Sequence, residues 1–133
     1  MVSCKKITGE KYTNLFGYTL LEVVTGSMSG TIEIGDGVIV KVTSEIKEDD
    51  IIVYKKEENL ITHRLIEMEE NRLITKGDAN NIQDDPITKD MVIGKVIFVI
   101  PNIHFWKKIL IGILIVLSCI FIFVHQIRNK KMK

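Results

Sequence analysis

The feature that most constrains the fold of this 133-residue chain is an uncharged apolar run near its C-terminus. From Ile109 to Val124 the sequence reads ILIGILIVLSCIFIFV. Crossing a hydrocarbon core takes roughly 20 residues of helix, and the flanks of the run can supply the remainder. The apolar residues surround the helix axis instead of forming one stripe, which argues against a helix packed on a soluble domain. We therefore predict one transmembrane helix, which with its interfacial flanks covers residues 103–127.

Residues suited to the membrane interface lie on both sides of this run. Phe105 and Trp106 fit the headgroup level, and Lys107 and Lys108 can extend their amino groups to water. Beyond the run, residues 128–133 form a basic tail that contains Arg128, Lys130, Lys131 and Lys133. Cationic residues concentrate on the cytoplasmic side of membrane proteins, although the lysine pair on the other flank weakens this argument. We expect a single-pass protein of the cell membrane with a cytoplasmic tail and an extracytoplasmic domain.

The rest of the chain has room for one modest domain. The formal net charge is +1, so no attraction to nucleic acid is expected. Residues 1–14 form a polar segment, and Met1–Lys11 lacks the apolar core of a secretory signal peptide.

Short apolar runs separated by turn signals indicate a mainly β domain over residues 15–102. These runs are rich in Val, Ile and Thr, and several alternate with a period of two. No stretch before residue 103 keeps a helical period for three turns. We therefore predict a small antiparallel β domain followed by the transmembrane helix. The candidate strands are Thr19–Val24, Val38–Thr43, Ile51–Tyr54, Leu60–Met68, Arg72–Thr75 and Met91–Ile100.

Several types of active site are disfavoured by the residues present. No His or Cys pair has the spacing of a zinc site, and no glycine loop is built to hold phosphate. The run Gly26-Ser27-Met28-Ser29-Gly30 lacks the Gly-x-Ser-x-Gly pattern of an α/β-hydrolase. His104 and His125 flank the apolar run, which leaves His63 as the histidine within the domain. Taken singly, Ser27 is most simply a turn residue and His63 a strand residue.

In combination, these residues resemble the signal peptidase I family. The resemblance is to its endoplasmic-reticulum and archaeal branch, which includes SipW-like bacterial enzymes and has histidine where most bacterial members have a catalytic lysine. The matching stretches follow the family order through most of the domain. They are LFGYTLLEVVTGSMSGTIEIGD (Leu15–Asp36), ITHRLIE (Ile61–Glu67), LITKGDANNIQDD (Leu73–Asp85) and VIGKVIFVIP (Val92–Pro101).

The resemblance implies a membrane-bound serine endopeptidase that cleaves signal peptides from secreted preproteins. Ser27 would be the nucleophile, His63 the general base and Asp84 the acid that orients His63, with Asp78 supporting the site. The backbone N–H of Ser27 and the hydroxyl of Thr25 would bind the oxyanion. This chemistry needs no cofactor and no metal. The expected partners are preprotein signal peptides, the lipid bilayer and, as a further class, partner membrane subunits.

Three alternatives stay open on the sequence. Asp85 could replace Asp84, because one inserted residue would exchange the two. Relatives commonly have Glu-Pro where this chain has Ser29-Gly30, and this departure motivates a catalytically silent homologue that binds peptides or subunits. A third reading uses a lysine as the base, with candidates Lys41, Lys55 and Lys76. We also expect an extended peptide to pair with the strand Leu20–Val24 that leads into Ser27.

Overall fold

The computed structural model describes residues 4–6 and 15–131, with side chains for residues 15–129. Most of the predicted polar segment 1–14 and the last two residues of the predicted basic tail lie outside the described residues. The chain divides into two compact units, Met1–Ile103 and His104–Lys133.

The first unit is built on one antiparallel sheet, as the alternating apolar pattern predicts. The strand order across the sheet is β1-β2-β3-β7-β4-β5-β6. The predicted mainly β fold is therefore confirmed, and the six predicted strands occur with each end within two residues of its predicted position. The strands are β1 (Cys4–Lys6), β2 (Tyr18–Val23), β3 (Gly37–Val42), β4 (Ile51–Lys56), β5 (Asn59–Met68), β6 (Leu73–Lys76) and β7 (Val92–Ile100).

Strand β1 lies within the segment that the sequence predicts to be polar. It pairs antiparallel with β2, with Cys4 opposite Val23 and Lys6 opposite Leu21. On its other edge β2 pairs with β3, with Leu21 opposite Val38 and Glu22 opposite Gly37. At Leu21 and Glu22 the strand that leads to Ser27 is therefore paired on both edges, which leaves no free edge for a peptide at these two residues.

The sheet carries an apolar cluster on each of its faces, and β4 contributes to both. Alternate residues of a strand point to opposite faces, so Val53 joins the first cluster and Ile52 and Tyr54 the second. Each of these three residues is at most 1% exposed. The first cluster comprises Leu21, Val23, Met28, Ile32, Val38, Val40 and Val53. The second comprises Ile52, Tyr54, Ile61, Leu65, Leu73 and Ile87.

The C-terminal helix, α1, runs from Ile103 to Lys131. Ile103 is buried in the first unit, where its Cδ1 atom lies 2.5 Å from the position that a Cβ on Gly37 would occupy. Within Ile103–Asn129 an 18-residue window reaches a mean hydropathy of 2.6, and none of that window is buried. The helix is therefore long and apolar enough to cross a membrane once, as the sequence predicts.

Candidate active site

The turn that carries Ser27 follows closely on the end of β2. Three backbone hydrogen bonds close it: Ser29 N donates to Gly26 O at 3.1 Å, and Thr31 N and Ile32 N donate to Met28 O at 3.0 and 2.8 Å. Met28 is 1% exposed and packs in the first apolar cluster. Ser27 is partly exposed. The buried Met28 side chain therefore anchors a turn that keeps the neighbouring serine accessible.

His63 joins the Ser27 turn to an aspartate. It lies in the middle of β5, opposite Ile52 of β4, and only 2% of it is exposed. Its Nε2 atom is 3.0 Å from Ser27 Oγ, and its Nδ1 atom is hydrogen-bonded to Asp84 Oδ2. If Nδ1 carries a proton and donates it to the carboxylate, Nε2 is left with a lone pair that can accept the hydroxyl proton of Ser27. The structure thus brings together three of the residues implied by the resemblance.

Asp84 is held by residues that the sequence analysis did not identify. Its backbone N–H donates to Thr75 O at 2.8 Å, and the hydroxyl of Thr75 donates to its Oδ2 atom, also at 2.8 Å. The hydroxyl of Tyr54 lies 3.5 Å from the same oxygen. Burial, with a smaller contribution from the negative charge of Asp84, raises the pKa of Tyr54 to about 12. Tyr54 therefore keeps its proton near neutral pH.

Asp85, the alternative to Asp84, binds a surface lysine instead of His63. Its carboxylate pairs with Lys56 at 3.2 Å, and 89% of its side chain is exposed. The candidate lysine bases form no hydrogen bond with Ser27 within the described part of the chain. These are Lys41, Lys55 and Lys76.

Asp78 lies beside the site and binds a different partner. Its Oδ2 atom accepts hydrogen bonds from Arg64 Nη2 at 2.7 Å and from Thr31 Oγ1 at 2.6 Å. The hydrogen bond from Arg64 is the main reason why the pKa of Asp78 is lowered. Arg64 follows His63 in β5, and Thr31 belongs to the turn that carries Ser27. Asp78 therefore links the strand to the turn, and within residues 15–129 its side chain has no hydrogen bond to Ser27 or His63.

The loop that contains Asp78 also contacts the backbone of Ser27. Ala79 N donates to Ser27 O at 2.8 Å. A Cβ placed on Gly77 would lie 2.6 Å from the same carbonyl oxygen and 2.7 Å from Asn80 Nδ2. The close approach of the two backbones requires glycine at position 77.

Thr25 has a buried hydroxyl whose hydrogen-bonding capacity is unused. Within residues 15–129 its Oγ1 atom has no partner. A buried hydroxyl without a partner costs free energy relative to one that is hydrogen-bonded.

The Ser29-Gly30 departure changes the shape of the turn. Gly30 has φ of 95°, a value that proline cannot adopt because its ring holds φ near about −65°. Gly30 N also donates to Glu33 Oε1 at 2.7 Å, a hydrogen bond that proline cannot make. A Glu-Pro sequence at these positions would therefore require a different local backbone.

Sequence reasoning missed Thr75 and Tyr54 because each looks like an ordinary strand residue. The available signal was their position: Thr75 begins the Thr-Lys-Gly-Asp stretch, and both residues share the strand face that includes Ile52 and Leu73. A hydroxyl on a buried strand face needs a hydrogen-bond partner, and here that partner is the carboxylate of Asp84.

Two comparisons with known proteins agree with the predicted resemblance. The profile of the Peptidase S24-like family matches residues 7–97. Signal peptidase I W of Bacillus subtilis (strain 168) is 33% identical over 84 residues, which cover 57% of this chain and 44% of that protein. The chain thus spans less than half the length of this relative. The resemblance to SipW-like signal peptidase I is confirmed, and the chain belongs to the Peptidase S24-like family.

Proposed function

We propose that this protein is a membrane-bound serine endopeptidase that removes signal peptides from secreted preproteins. The observation that carries the proposal is the continuous hydrogen-bond chain from Ser27 Oγ through both ring nitrogens of His63 to Asp84. A serine hydroxyl is a weak nucleophile at neutral pH and needs a base within hydrogen-bonding distance. His63 meets this requirement, and membership of a peptidase family supports the same reaction class.

In the proposed mechanism, Ser27 Oγ attacks the carbonyl carbon of the scissile peptide bond while His63 Nε2 takes its proton. Asp84 keeps the proton of His63 on Nδ1 and stabilises the imidazolium that forms. The Ser27 N–H and the unpartnered hydroxyl of Thr25 donate to the oxyanion. His63 then protonates the leaving amine, which departs and leaves an acyl ester on Ser27. Water, deprotonated by His63, hydrolyses that ester and regenerates the serine.

The apolar helix α1 is an argument that the substrate is cleaved at a membrane. We propose that the helix crosses the cell membrane with the basic tail in the cytoplasm, so that the β domain meets signal peptides on the extracytoplasmic side. Two variants test this orientation, one with a cysteine at the exposed position Asp85 and one with a cysteine at Asn129. Both carry Cys4→Ser and Cys119→Ser, because the chain's own Cys4 would otherwise react with the reagent. In intact cells, a membrane-impermeant thiol reagent should label the first and not the second.

The catalytic proposal is tested with the full chain in detergent and a preprotein that has small residues before the cleavage site. Wild-type protein should cleave this substrate, and Ser27→Ala should abolish cleavage. Ser29→Ala is a matched control, because it removes another hydroxyl from the same turn without touching His63. Cleavage retained by Ser27→Ala would refute the serine mechanism.

A second candidate function is a silent module that binds peptides or partner subunits. It is favoured by the conformation of Gly30, which gives this turn a backbone that the Glu-Pro of relatives cannot adopt. Wild-type protein that binds a signal peptide but never cleaves it, while Ser27→Ala binds equally well, would favour this candidate over the enzyme.

A further inference from the structure

Thr75 holds Asp84 at two points, one on the backbone and one on the side chain. Thr75 O accepts the hydrogen bond from Asp84 N, and Thr75 Oγ1 donates to Asp84 Oδ2, both at 2.8 Å. Thr75 itself is fully buried, with no exposed surface. A single residue thus fixes both the main chain of Asp84 and the direction of its carboxylate.

The single proton of the Thr75 hydroxyl determines how the neighbouring Tyr54 must bond. Thr75 Oγ1 is 3.2 Å from Tyr54 Oη and 2.8 Å from the carboxylate oxygen of Asp84. A charged carboxylate is the stronger acceptor, so the threonine proton goes to Asp84. Tyr54, which keeps its own proton, can then donate to Thr75 Oγ1 or to Asp84 Oδ2. The two buried hydroxyls and the carboxylate thus form one network in which each hydroxyl proton has an acceptor.

This network matters because the Asp84 side chain is not sealed from water. Its exposed fraction is 23%, compared with 3% for the side chain of His63. A carboxylate with this exposure can rotate to bind water unless other groups hold it. Thr75 and Tyr54 approach the same oxygen that His63 Nδ1 contacts, so they favour the rotamer in which Asp84 faces His63.

We propose that Thr75, assisted by Tyr54, is a positioning residue that holds Asp84 in the orientation needed to direct His63 towards Ser27. The proposal rests on the catalytic function proposed above and adds to it a role for a buried threonine hydroxyl. Thr75 acts only through Asp84 and does not touch Ser27.

The kinetic test replaces the hydroxyl of Thr75 with a methyl group. Thr75→Val in the full chain should lower kcat for preprotein cleavage by about tenfold to a hundredfold, as expected for a hydrogen bond to a charged group, with KM unchanged. Thr75→Ser restores the hydroxyl and should recover most of this loss. Tyr54→Phe should have a smaller effect, because its hydroxyl lies farther from Asp84.

Thr62→Val is the matched control for this change. Thr62 is a threonine of β5 that is 1% exposed, and its hydroxyl has no partner within residues 15–129. The same substitution there removes a buried hydroxyl that does not contact Asp84, and kcat should stay within about twofold of wild type. Thermal unfolding of both variants, measured in the same detergent, verifies that each is folded.

A spectroscopic measurement separates this inference from the proposed function. In full-length protein whose histidines carry a nitrogen isotope label, the Nδ1 proton of His63 should give a downfield, slowly exchanging NMR signal. This signal should be lost in His63→Ala. Thr75→Val should broaden the signal or speed its exchange with water, whereas Thr62→Val should not. This result would support the positioning role even if no preprotein were cleaved. Unchanged kcat and an unchanged signal in folded Thr75→Val would overturn the inference while leaving the proposed protease activity intact.

Discussion

The two adjacent aspartates offer a sharp test of the proposed mechanism, because each can be changed to the isosteric asparagine. In Asp84→Asn the amide oxygen can still accept hydrogen bonds from His63 and Thr75, since both groups approach one oxygen atom. The shape of the site should therefore survive while its negative charge is removed. The variant isolates the contribution of that charge to stabilising the imidazolium of His63.

The expected magnitude follows from the proximity of Asp84 and His63. Two unit charges about 4 Å apart attract by about 4 kcal/mol at an effective dielectric constant of about 20. Because the attraction exists only when His63 is protonated in the transition state, its loss should appear in the rate. About 4 kcal/mol corresponds to roughly a thousandfold decrease in kcat. The 23% exposure of the Asp84 side chain makes this figure an upper bound, since water screens part of the attraction.

Asp85→Asn is the control one residue away. Its carboxylate pairs with Lys56 at the surface, an interaction usually worth less than about 1 kcal/mol. We expect its kcat to stay within about twofold of wild type. Both rates are measured under single-turnover conditions with a preprotein substrate, so that product release does not mask the chemical step. Equal losses in the two variants, or a near-normal rate in Asp84→Asn, would refute the assignment of Asp84.

Two further predictions concern the loop beside the site. Gly77→Ala places a methyl group 2.6 Å from Ser27 O, so the free energy of unfolding should fall by about 1–3 kcal/mol and cleavage should decrease. Thermal unfolding measures the first effect. Gly112→Ala is the control, because its methyl group meets nothing within 4 Å, and it should match wild type. The hydrogen bond from Arg64 lowers the pKa of Asp78 in the folded protein. The ionised carboxylate therefore contributes its full stabilisation at pH values above the ordinary aspartate pKa of ~3.9, and this contribution is lost as the pH falls through the lower pKa of the folded state. Denaturant unfolding should therefore show Asp78→Asn less stable than wild type at neutral pH, with a difference that shrinks as pH falls below ~4; a difference that does not depend on pH would contradict this account.

The main strands could be predicted because short runs rich in Val and Ile between turn signals are typical of buried strands. Val38–Val42 and Ile51–Tyr54 illustrate this pattern. Strand β1 could not be predicted in the same way. Cys4–Lys6 contains two lysines and no apolar alternation, and its pairing depends on an available edge of β2. Pairing partners of this kind come from tertiary structure and leave no local signal.

The site could be predicted only in part. The roles of Ser27 and His63 came from the resemblance, since neither residue is distinctive within its own segment. The choice between Asp84 and Asp85 stayed open because two adjacent residues on a loop cannot be ordered in space from sequence. In the structure, the backbone hydrogen bond from Asp84 N to Thr75 O sets which of the two carboxylates turns inward.

The direct contact between the Gly77–Ala79 backbone and Ser27 O has a consequence for how the site responds to heat. The loop that leads to Asp84 cannot swing outwards without breaking the hydrogen bond from Ala79 N to the carbonyl of Ser27. Opening of the loop therefore disturbs the proposed nucleophile and its orienting acid in one step. Partial melting should divide the molecules into an intact population and an inactive one. Few molecules should have a displaced Asp84 beside an undisturbed Ser27. On heating, activity should fall because fewer molecules are competent, while each competent molecule keeps a well-formed site.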